Sequence, residues 1–299
     1  MNSSTSSSKL FFLGFTLIFM VGIAVFIVGS EYIVRTIVAP KSDFDTLRER
    51  LHTTQAPYAA FADSHGARGL LDQSGFVNLS MGGDNLATIL EKAQFFSKFT
   101  TTKGVIIQAD PHHFATYRLN REQSALRDDL FKRKTPWLSF LRPVYRQYLL
   151  EYWQAFLLFS PTVVEPTQAI VRLTDLPPAE VAKTASIRAG LQTPIASFKQ
   201  TEFANLYIRT VQTLQREGID VCLVSFPISS AYQNAVKKEP TYTTALEFYA
   251  GLAKQSRMKY FDLSSALGDE QFSDPDHLNI EGAAALTKIV LNNCFDLNP

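Results

Sequence analysis

The sequence predicts an α/β fold, a three-layer doubly wound parallel sheet with a helical insertion and an N-terminal transmembrane helix. Three apolar runs, 103–110, 218–227 and 258–264, have the composition of strands buried on both faces of a parallel sheet. The second and third runs each follow a segment with apolar residues at helical spacing. Strands that alternate with helices in this way are typical of doubly wound sheets, whose functional sites lie at the carboxyl ends of the strands.

The N-terminus carries a segment of twenty residues without a charge, Leu10–Gly29. That length crosses a hydrocarbon core of about 30 Å, whereas the apolar core of a cleaved signal peptide usually has about 7–15 residues and ends at a small-residue cleavage site. We therefore predict an uncleaved membrane anchor. Basic residues stand on both sides of it, so the positive-inside rule does not fix which side the rest of the chain occupies.

The predicted organisation is a disordered cytoplasmic tail at 1–9, the anchor at 10–29, a helical stalk at 30–55 and an α/β domain at 56–299. The domain begins with "APYAAFADSH", a short strand that runs into a turn, and continues with "GFVNLSMGG", a second strand and loop. Asp84 is placed to cap the helix that follows. A final amphipathic helix begins near Ile280.

An insertion at about 115–198 separates the third strand from the fourth. It contains "WLSFLRPVYRQYLLEYWQAFLLF", which is dense in aromatic residues, and the proline-containing loop "DLPPAE". Two interpretations are open. The insertion is either a helical subdomain with its own core, or a lid or docking surface for an acyl chain, a glycan or a membrane protein.

The composition excludes several classes of function. A net charge of +1 over 299 residues gives no basic surface to attract nucleic acid. Two cysteines are too few for a disulfide framework, and the apolar run around Cys222 predicts a buried thiol. No Cys/His cluster has zinc-binding spacing, and the adjacent pair His112 and His113 has no carboxylate cluster with it in the sequence, so we expect neither a metal nor another cofactor.

Two serines at the ends of the first two strands are candidate nucleophiles, Ser64 in "ADSH" and Ser80 in "LSMGG". A serine hydroxyl needs a base, and a histidine base needs an orienting carboxylate. His277 follows Asp274 by three residues in "DPDHLNIEGA", a spacing that brings carboxylate and imidazole together within one turn of chain. Asp276 is the alternative carboxylate. Taken alone, the pattern favours a helix-capping aspartate beside a surface histidine.

The segments "ADSH", "NLSMGG" and "DPDHLNIEGA" occur in the order found in SGNH (GDSL-like) hydrolases, and the sequence resembles this family over roughly 57–110 and 218–293. The terminal block is most similar to the membrane-anchored branches, which include the alginate O-acetylation proteins and the D-alanine-transfer protein of teichoic acid synthesis. The resemblance implies a flavodoxin-like sheet with Ser64 as nucleophile and, through its N–H, as oxyanion donor. It also implies Gly83 as a second donor, His277 as general base and Asp274 as its orienting carboxylate.

The sequence departs from the family at two positions. The glycine that usually precedes Asp-Ser is Ala62, and "QADPHHF" lacks the asparagine that the family's third block supplies to the oxyanion, which leaves His112 or His113 as replacement donors. Losing one donor costs on the order of 10²–10³ in turnover. Ser80 lacks the first glycine of a G-x-S-x-G elbow, and only one strand of the domain precedes the short strand that leads into it, so Ser64 is the predicted nucleophile.

Two functions follow from this interpretation. The first is a membrane-tethered serine esterase or O-acyltransferase, which acts through an acyl-enzyme on an acylated polysaccharide or polymer of the cell envelope. Its site would lie on the extracytoplasmic side, with a multi-spanning membrane acyltransferase as partner. The second is a catalytically inactive binding or scaffold protein of an envelope-modification complex, which the missing asparagine favours.

Overall fold

A computed structural model of the chain describes residues 5–38, 43–119, 129–132, 141–142, 145, 149–150, 153 and 172–297. The chain divides into two compact units, Met1–Thr46 with Asp128–Val164, and Leu47–Arg127 with Glu165–Pro299. We call the first the anchor unit and the second the α/β unit.

The anchor unit is dominated by helix α1, Thr5–Ile33, which continues into a π-helical segment, Val34–Val38. The stretch Phe11–Thr36 has 26 residues, and an 18-residue window within it has a mean hydropathy of 2.8, which makes it long and apolar enough to cross a membrane. A helix of this length and composition near an N-terminus fits either a membrane anchor or a signal sequence. Helix α2, Asp43–Thr53, begins in this unit.

The α/β unit is built on one parallel sheet, which confirms the predicted fold class. Its strands follow the order β2-β1-β3-β4-β5. Their bounds are β1 Tyr58–Phe61, β2 Phe76–Asn78, β3 Gly104–Gln108, β4 Asp220–Ser225 and β5 Lys259–Asp262. The chain reverses direction across the sheet between β2 and β3, so the carboxyl ends of β1 and β3 flank a topological switch point.

Helices cover both faces of this sheet. Their bounds are α3 Ser64–Gly69, α4 Leu86–Phe99, α5 Thr116–Leu119, α6 Pro178–Gln192, α7 Glu202–Arg216, α8 Ser230–Val236, α9 Pro240–Ser256 and α10 Ile280–Phe295. Ala60 of β1 shares a buried apolar cluster with Leu286 of α10, whereas the next residue, Phe61, meets Phe96 of α4 edge to face. Because neighbouring side chains of a strand point to opposite faces, α10 and α4 lie on opposite sides of the sheet.

Cys222 and Cys294 form a disulfide, so the predicted thiol at Cys222 is wrong. The predicted burial is correct, since the residue is 1 % exposed. The two Cα atoms lie 5.7 Å apart although 72 residues separate them in sequence. Composition around Cys222 could not reveal the bond, because it depends on α10 packing against the face of β4 to which Cys222 points.

The predicted cap of α4 is also wrong. The cap is Asn85, whose side chain accepts a hydrogen bond from the backbone N–H of Thr88 at 3.0 Å. Asp84 is buried and pairs with Lys92 at 2.5 Å. The predicted domain boundaries and both interpretations of the insertion stay predictions. Residues 1–4 of the predicted tail and most of the aromatic segment 137–159 lie outside the described residues.

Candidate active site

Ser64, His277 and Asp274 meet in one hydrogen-bonded row. The Oγ of Ser64 lies 2.9 Å from Nε2 of His277. On the other side of the ring, Nδ1 lies 2.9 Å from Oδ2 and 3.0 Å from Oδ1 of Asp274. With a proton on Nδ1, that nitrogen donates to the carboxylate, and Nε2 is free to accept the hydroxyl proton of Ser64. Asp276 is further away, with its Oδ1 at 3.4 Å from Nδ1 of His277.

A tight hairpin brings Asp274 back to His277. Strand β6, Phe272–Asp274, pairs with β7, His277–Leu278, in antiparallel register, so that Asp274 faces His277. The carboxylate of Asp274 accepts the backbone N–H groups of Asp276 at 3.1 Å and His277 at 3.0 Å, which closes the turn. Asn279 then caps α10 by accepting the N–H of Gly282 at 3.0 Å. The local sequence therefore fixes both the turn and the start of the helix.

Ser64 is the first residue of α3, directly after the carboxyl end of β1. The preceding Asp63 caps this short helix by accepting the N–H of His65 at 3.0 Å. Gly66 is required here, because a Cβ at this position would lie 2.4 Å from Cβ of Ala62 and 2.6 Å from Oγ of Ser80. The missing side chain lets α3 pack tightly against the end of β1.

The loop after β2 lies beside Ser64. Backbone N–H groups of Leu79 and Met81 donate to the carbonyls of Ala60 at 2.9 Å and Ala62 at 3.1 Å, which fastens the loop to the segment before Ser64. A Cβ on Gly82 would lie 3.9 Å from Cβ of Ser64. Gly83, the predicted second oxyanion donor, has a φ of 85°, a conformation that glycine adopts without strain.

A buried polar network lies beneath the nucleophile. The Oδ2 of Asp63 accepts from Arg118 at 2.7 Å and contacts Nε2 of His112 at 2.7 Å, and its Oδ1 accepts from Gln108 at 2.9 Å. His65 contacts Asp110 at 2.7 Å. Arg118 also donates to the backbone carbonyl of Asp84 at 2.8 Å. One guanidinium therefore joins the residue before Ser64 to the residue after Gly83.

His112 and His113 belong to this buried region and not to the row that contains Ser64. Both lie in the 3₁₀ turn Pro111–Phe114 after β3 and are almost completely buried. His112 contacts Asp63, while the ring nitrogens of His113 have no hydrogen-bond partner among the residues that the structure describes. Gln108, from the segment that lacks the family's asparagine, donates to Asp63 and Asp110. The replacement donors proposed from the sequence stay a prediction.

The ligand atoms of Asp63, His65 and His112 lie within 4.8 Å of one another, a separation that could suit a metal ion. The donor set does not favour one, however. The contact between His112 and Asp63 and the hydrogen bond from Arg118 already occupy Oδ2 of Asp63, and a guanidinium at 2.7 Å repels a cation. The guanidinium of Arg118 thus balances the charge of the buried Asp63 carboxylate.

Burial and neighbouring charges change the pKa values of the site. Burial lowers the pKa of His277 more than Asp274 raises it, and the positive charges of His65 and Arg68 lower it further. Burial alone would raise the pKa of Asp274, but the hydrogen bond and charge of His277, together with the charge of Arg188, keep it below its ordinary value. The base is therefore neutral, and its carboxylate ionised, at neutral pH.

The pKa of Asp63 is also lowered. Burial would raise it, but the contact with His112 and the charges of His65 and Arg118 hold it well below its ordinary value. The pKa of His65 rises despite burial, because the ring bonds to Asp110 and lies near Asp63. Burial lowers the pKa of His113 well below its ordinary value, and the charge of nearby His112 adds to this effect. Asp63 is therefore charged beside His65 and Arg118, whereas burial keeps the ring of His113 neutral.

Arg188 is a site residue that the sequence did not indicate. It projects from α6, at the C-terminal end of the insertion, and donates to Oδ1 of Asp274 at 2.9 Å while also contacting Asp276. Gln192, one turn later, donates to Oδ2 of Asp276 at 3.0 Å. No motif marks either residue, and both lie outside the segments that resemble the SGNH family. Only the fold brings α6 to the hairpin.

Among the described residues, no histidine contacts the hydroxyl of Ser80, the alternative nucleophile. Its Oγ has no hydrogen-bond partner among the described residues, and its backbone N–H donates to Asn78 at 3.1 Å. Oγ of Ser80 is directed toward Gly66, where a Cβ would lie 2.6 Å away. Of the two serines, Ser64 is the one whose hydroxyl lies against an imidazole.

Comparison with known proteins does not identify a family for this chain. No protein-family model matches the chain, and no curated protein matches it. Among solved structures, the chain is similar to one from Streptococcus pneumonia that is provisionally named as a platelet activating factor. The similarity covers 84 % of this chain and 91 % of that one, at 13 % sequence identity and a TM-score of 0.44.

Proposed function

We propose that this protein is a serine esterase or O-acyltransferase of the SGNH type, with Ser64 as nucleophile, His277 as general base and Asp274 as the carboxylate that orients the base. The observation that carries the proposal is the row from Ser64 Oγ through His277 to Asp274, with contacts of 2.9 Å on each side of the imidazole. Nucleophile, base and orienting carboxylate within hydrogen-bond reach form the arrangement that covalent acyl transfer requires.

The reaction has two steps. In the first, Oγ of Ser64 attacks the acyl carbonyl carbon while Nε2 of His277 takes its proton. The N–H groups of Ser64 and Gly83 stabilise the oxyanion, and collapse of the intermediate releases the alcohol with the proton from His277. In the second step, water or a sugar hydroxyl attacks the acyl carbon with His277 again as base, and the ester bond to Oγ of Ser64 breaks as His277 returns the proton to Oγ. Water completes a hydrolase cycle, and a sugar hydroxyl completes a transferase cycle.

The cellular setting is part of the proposal. Helix α1 holds the protein in a membrane, and the α/β unit lies on the extracytoplasmic side. The disulfide between Cys222 and Cys294 supports this side, because disulfides persist in oxidising compartments. The substrate is an acylated polysaccharide or polymer of the envelope, and a multi-spanning membrane acyltransferase supplies or removes the acyl group. The resemblance to the membrane-anchored SGNH branches supports this assignment.

Acyl release from an acetylated envelope polysaccharide and from p-nitrophenyl acetate tests the chemistry. The full chain in detergent is compared with Ser64→Ala and with Ser80→Ala as the matched control. We expect Ser64→Ala to lose at least about 10³-fold in turnover, because no other group forms the acyl-enzyme. Ser80→Ala should retain turnover close to wild type. Equal turnover by all three proteins would overturn the proposal.

One observation favours a second function, a binding or scaffold protein that has the fold without the activity. The side chain of Gln108, in the segment where the family has its oxyanion asparagine, is bonded to Asp63 and Asp110. In that case, a folded full chain would bind an acylated polysaccharide and release no acyl group, and Ser64→Ala would not change its affinity.

A further inference from the structure

Trp153 contacts the apolar helix of the anchor unit. Its ring stacks on Phe26 of α1, with centroids 5.2 Å apart, and its Nε1 donates to Oγ of Ser30 at 3.1 Å. A Cβ on Gly29 would lie 3.7 Å from the same ring, so the glycine provides the space for the indole. The contact therefore covers one turn of α1.

That turn lies at the end of the uncharged run of α1. No charged residue occurs between Leu10 and Ser30, and Glu31 is the first to follow. Twenty helical residues span about 30 Å, the thickness of the hydrocarbon core, so the boundary between hydrocarbon and headgroups falls near Gly29 and Ser30. Phe26 lies about 4.5 Å deeper along the helix axis. An indole against Phe26 and Ser30 thus has its ring at hydrocarbon depth and its N–H at the boundary.

A second set of contacts joins Arg142 and Tyr145, which precede Trp153 in the chain, to a residue that follows α1 closely in sequence. Arg142, almost fully buried, donates to Asp45 at 2.7 Å and to Asp129 at 2.7 Å. Tyr145 also hydrogen-bonds Asp45. Asp45 is only seven residues beyond Val38, where the π-helical continuation of α1 ends. Leu150, three residues before Trp153, is 59 % exposed, which suits a side chain that faces lipid.

We infer that the part of the insertion that carries Leu150 and Trp153 forms a second membrane contact of this protein, in which both side chains lie at the boundary between the lipid headgroups and the acyl chains. Tryptophan is enriched at this depth because its ring is apolar and its N–H bonds to polar groups. The partner is the lipid bilayer itself. This inference rests on the membrane-anchor part of the proposed function and is independent of the acyl-transfer chemistry.

Depth-dependent fluorescence quenching tests the inference on the full chain in phosphatidylcholine vesicles. Trp137 and Trp153 are the only tryptophans, so Trp137→Phe leaves Trp153 as the reporter. Two references use the background without either tryptophan. Phe19→Trp reports the middle of α1, and Phe99→Trp, at the exposed end of α4, is the reference outside the anchor unit. The lipids carry bromine either near the headgroup or near the chain terminus.

We expect bromine near the headgroup to quench Trp153 at least about twofold more than bromine near the chain terminus. Phe19→Trp should show the opposite order, and Phe99→Trp should show little quenching by either lipid. A nitrobenzoxadiazole probe on Leu150→Cys, quenched by lipids with a spin label near the headgroup, provides a second reading at an exposed site. It does not depend on substituting a tryptophan.

Bromolipid quenching of Trp153 no stronger than that of Phe99→Trp, together with no spin-label quenching of the Leu150→Cys probe, would overturn the inference and leave the anchor intact if Phe19→Trp is quenched in the same vesicles. If Phe19→Trp is also unquenched, the anchor fails and the inference fails with it. Turnover of p-nitrophenyl acetate by the same vesicles reads the acyl-transfer chemistry separately.

Discussion

Reduction of the disulfide between Cys222 and Cys294 should destabilise the α/β unit by several kcal/mol. The bond joins β4 to α10, and both cysteines are buried. It closes a loop of 72 residues. In the chain-entropy account, opening a loop of this length returns conformational freedom to the unfolded chain worth roughly 4 kcal/mol at 25 °C. Reduction leaves both sulfur atoms in the core, so no cavity contributes to the loss.

The assay is urea unfolding of the full chain in mild detergent, followed by far-UV circular dichroism, with and without a phosphine reductant, because both tryptophans lie in the anchor unit. We expect the reductant to lower the unfolding midpoint and the free energy of unfolding by about 4 kcal/mol. The matched control is the double variant Cys222→Ala/Cys294→Ala, which should be less stable than the oxidised protein and insensitive to reductant. A shift below about 1 kcal/mol, with both thiols shown to be reduced, would refute the loop-closure reasoning.

Three further predictions concern the site and its support. Asp274→Asn should lower turnover by about 10³–10⁴-fold with little change in stability, because the amide no longer holds the tautomer of His277 that accepts the serine proton. Arg188→Gln should move the acid limb of the pH profile of kcat/KM to higher pH, because a positive charge beside Asp274 and 3.4 Å from Nδ1 of His277 is lost and the imidazolium becomes more stable. Lys92→Met should cost about 3–5 kcal/mol in urea unfolding, since it leaves the buried carboxylate of Asp84 without its cation.

The predictions for Arg188→Gln and Lys92→Met each have a control that separates the effect from general damage. Arg172→Gln removes an exposed arginine that pairs with Glu281 and should leave the pH profile unchanged. The pKa of His277 is lowered in the site, and activity requires the neutral ring. Removing the charge of Arg188 should raise this pKa, so activity would be lost at a higher pH. An acid limb that stays in place or moves to lower pH contradicts the electrostatic role given to Arg188. The double variant Lys92→Met/Asp84→Asn should recover part of the stability, and no recovery would contradict the pairing.

The sequence predicted the sheet because its strands have local signatures. The apolar runs became β3, β4 and β5, and the two short segments before Ser64 and Ser80 became β1 and β2. The start of α10 at Ile280 was equally local, because Asn279 caps it. Hydrophobic pattern and capping act over a few residues, so they can be recognised in one sequence without a structure.

The contacts that the sequence did not predict join residues far apart in the chain. The bond between Cys222 and Cys294 depends on the packing of α10, and the contact of Arg188 with Asp274 depends on how the insertion returns to the hairpin. Asp84 was predicted as a cap because it precedes a helix, yet its partner is the buried Lys92. The spacing of residues in the sequence does not indicate contacts between segments that lie far apart in the chain. Contacts of this kind support the candidate site.

The most direct test of the proposed catalytic row is the position of a covalent adduct. A fluorophosphonate reacts with a serine whose hydroxyl is activated by a base, and mass spectrometry of the digested full chain locates the modified residue. We predict an adduct on the peptide that contains Ser64, unchanged in Ser80→Ala and at least about tenfold slower to form in His277→Ala. An adduct on Ser80, or none on folded protein, would contradict the role given to Ser64.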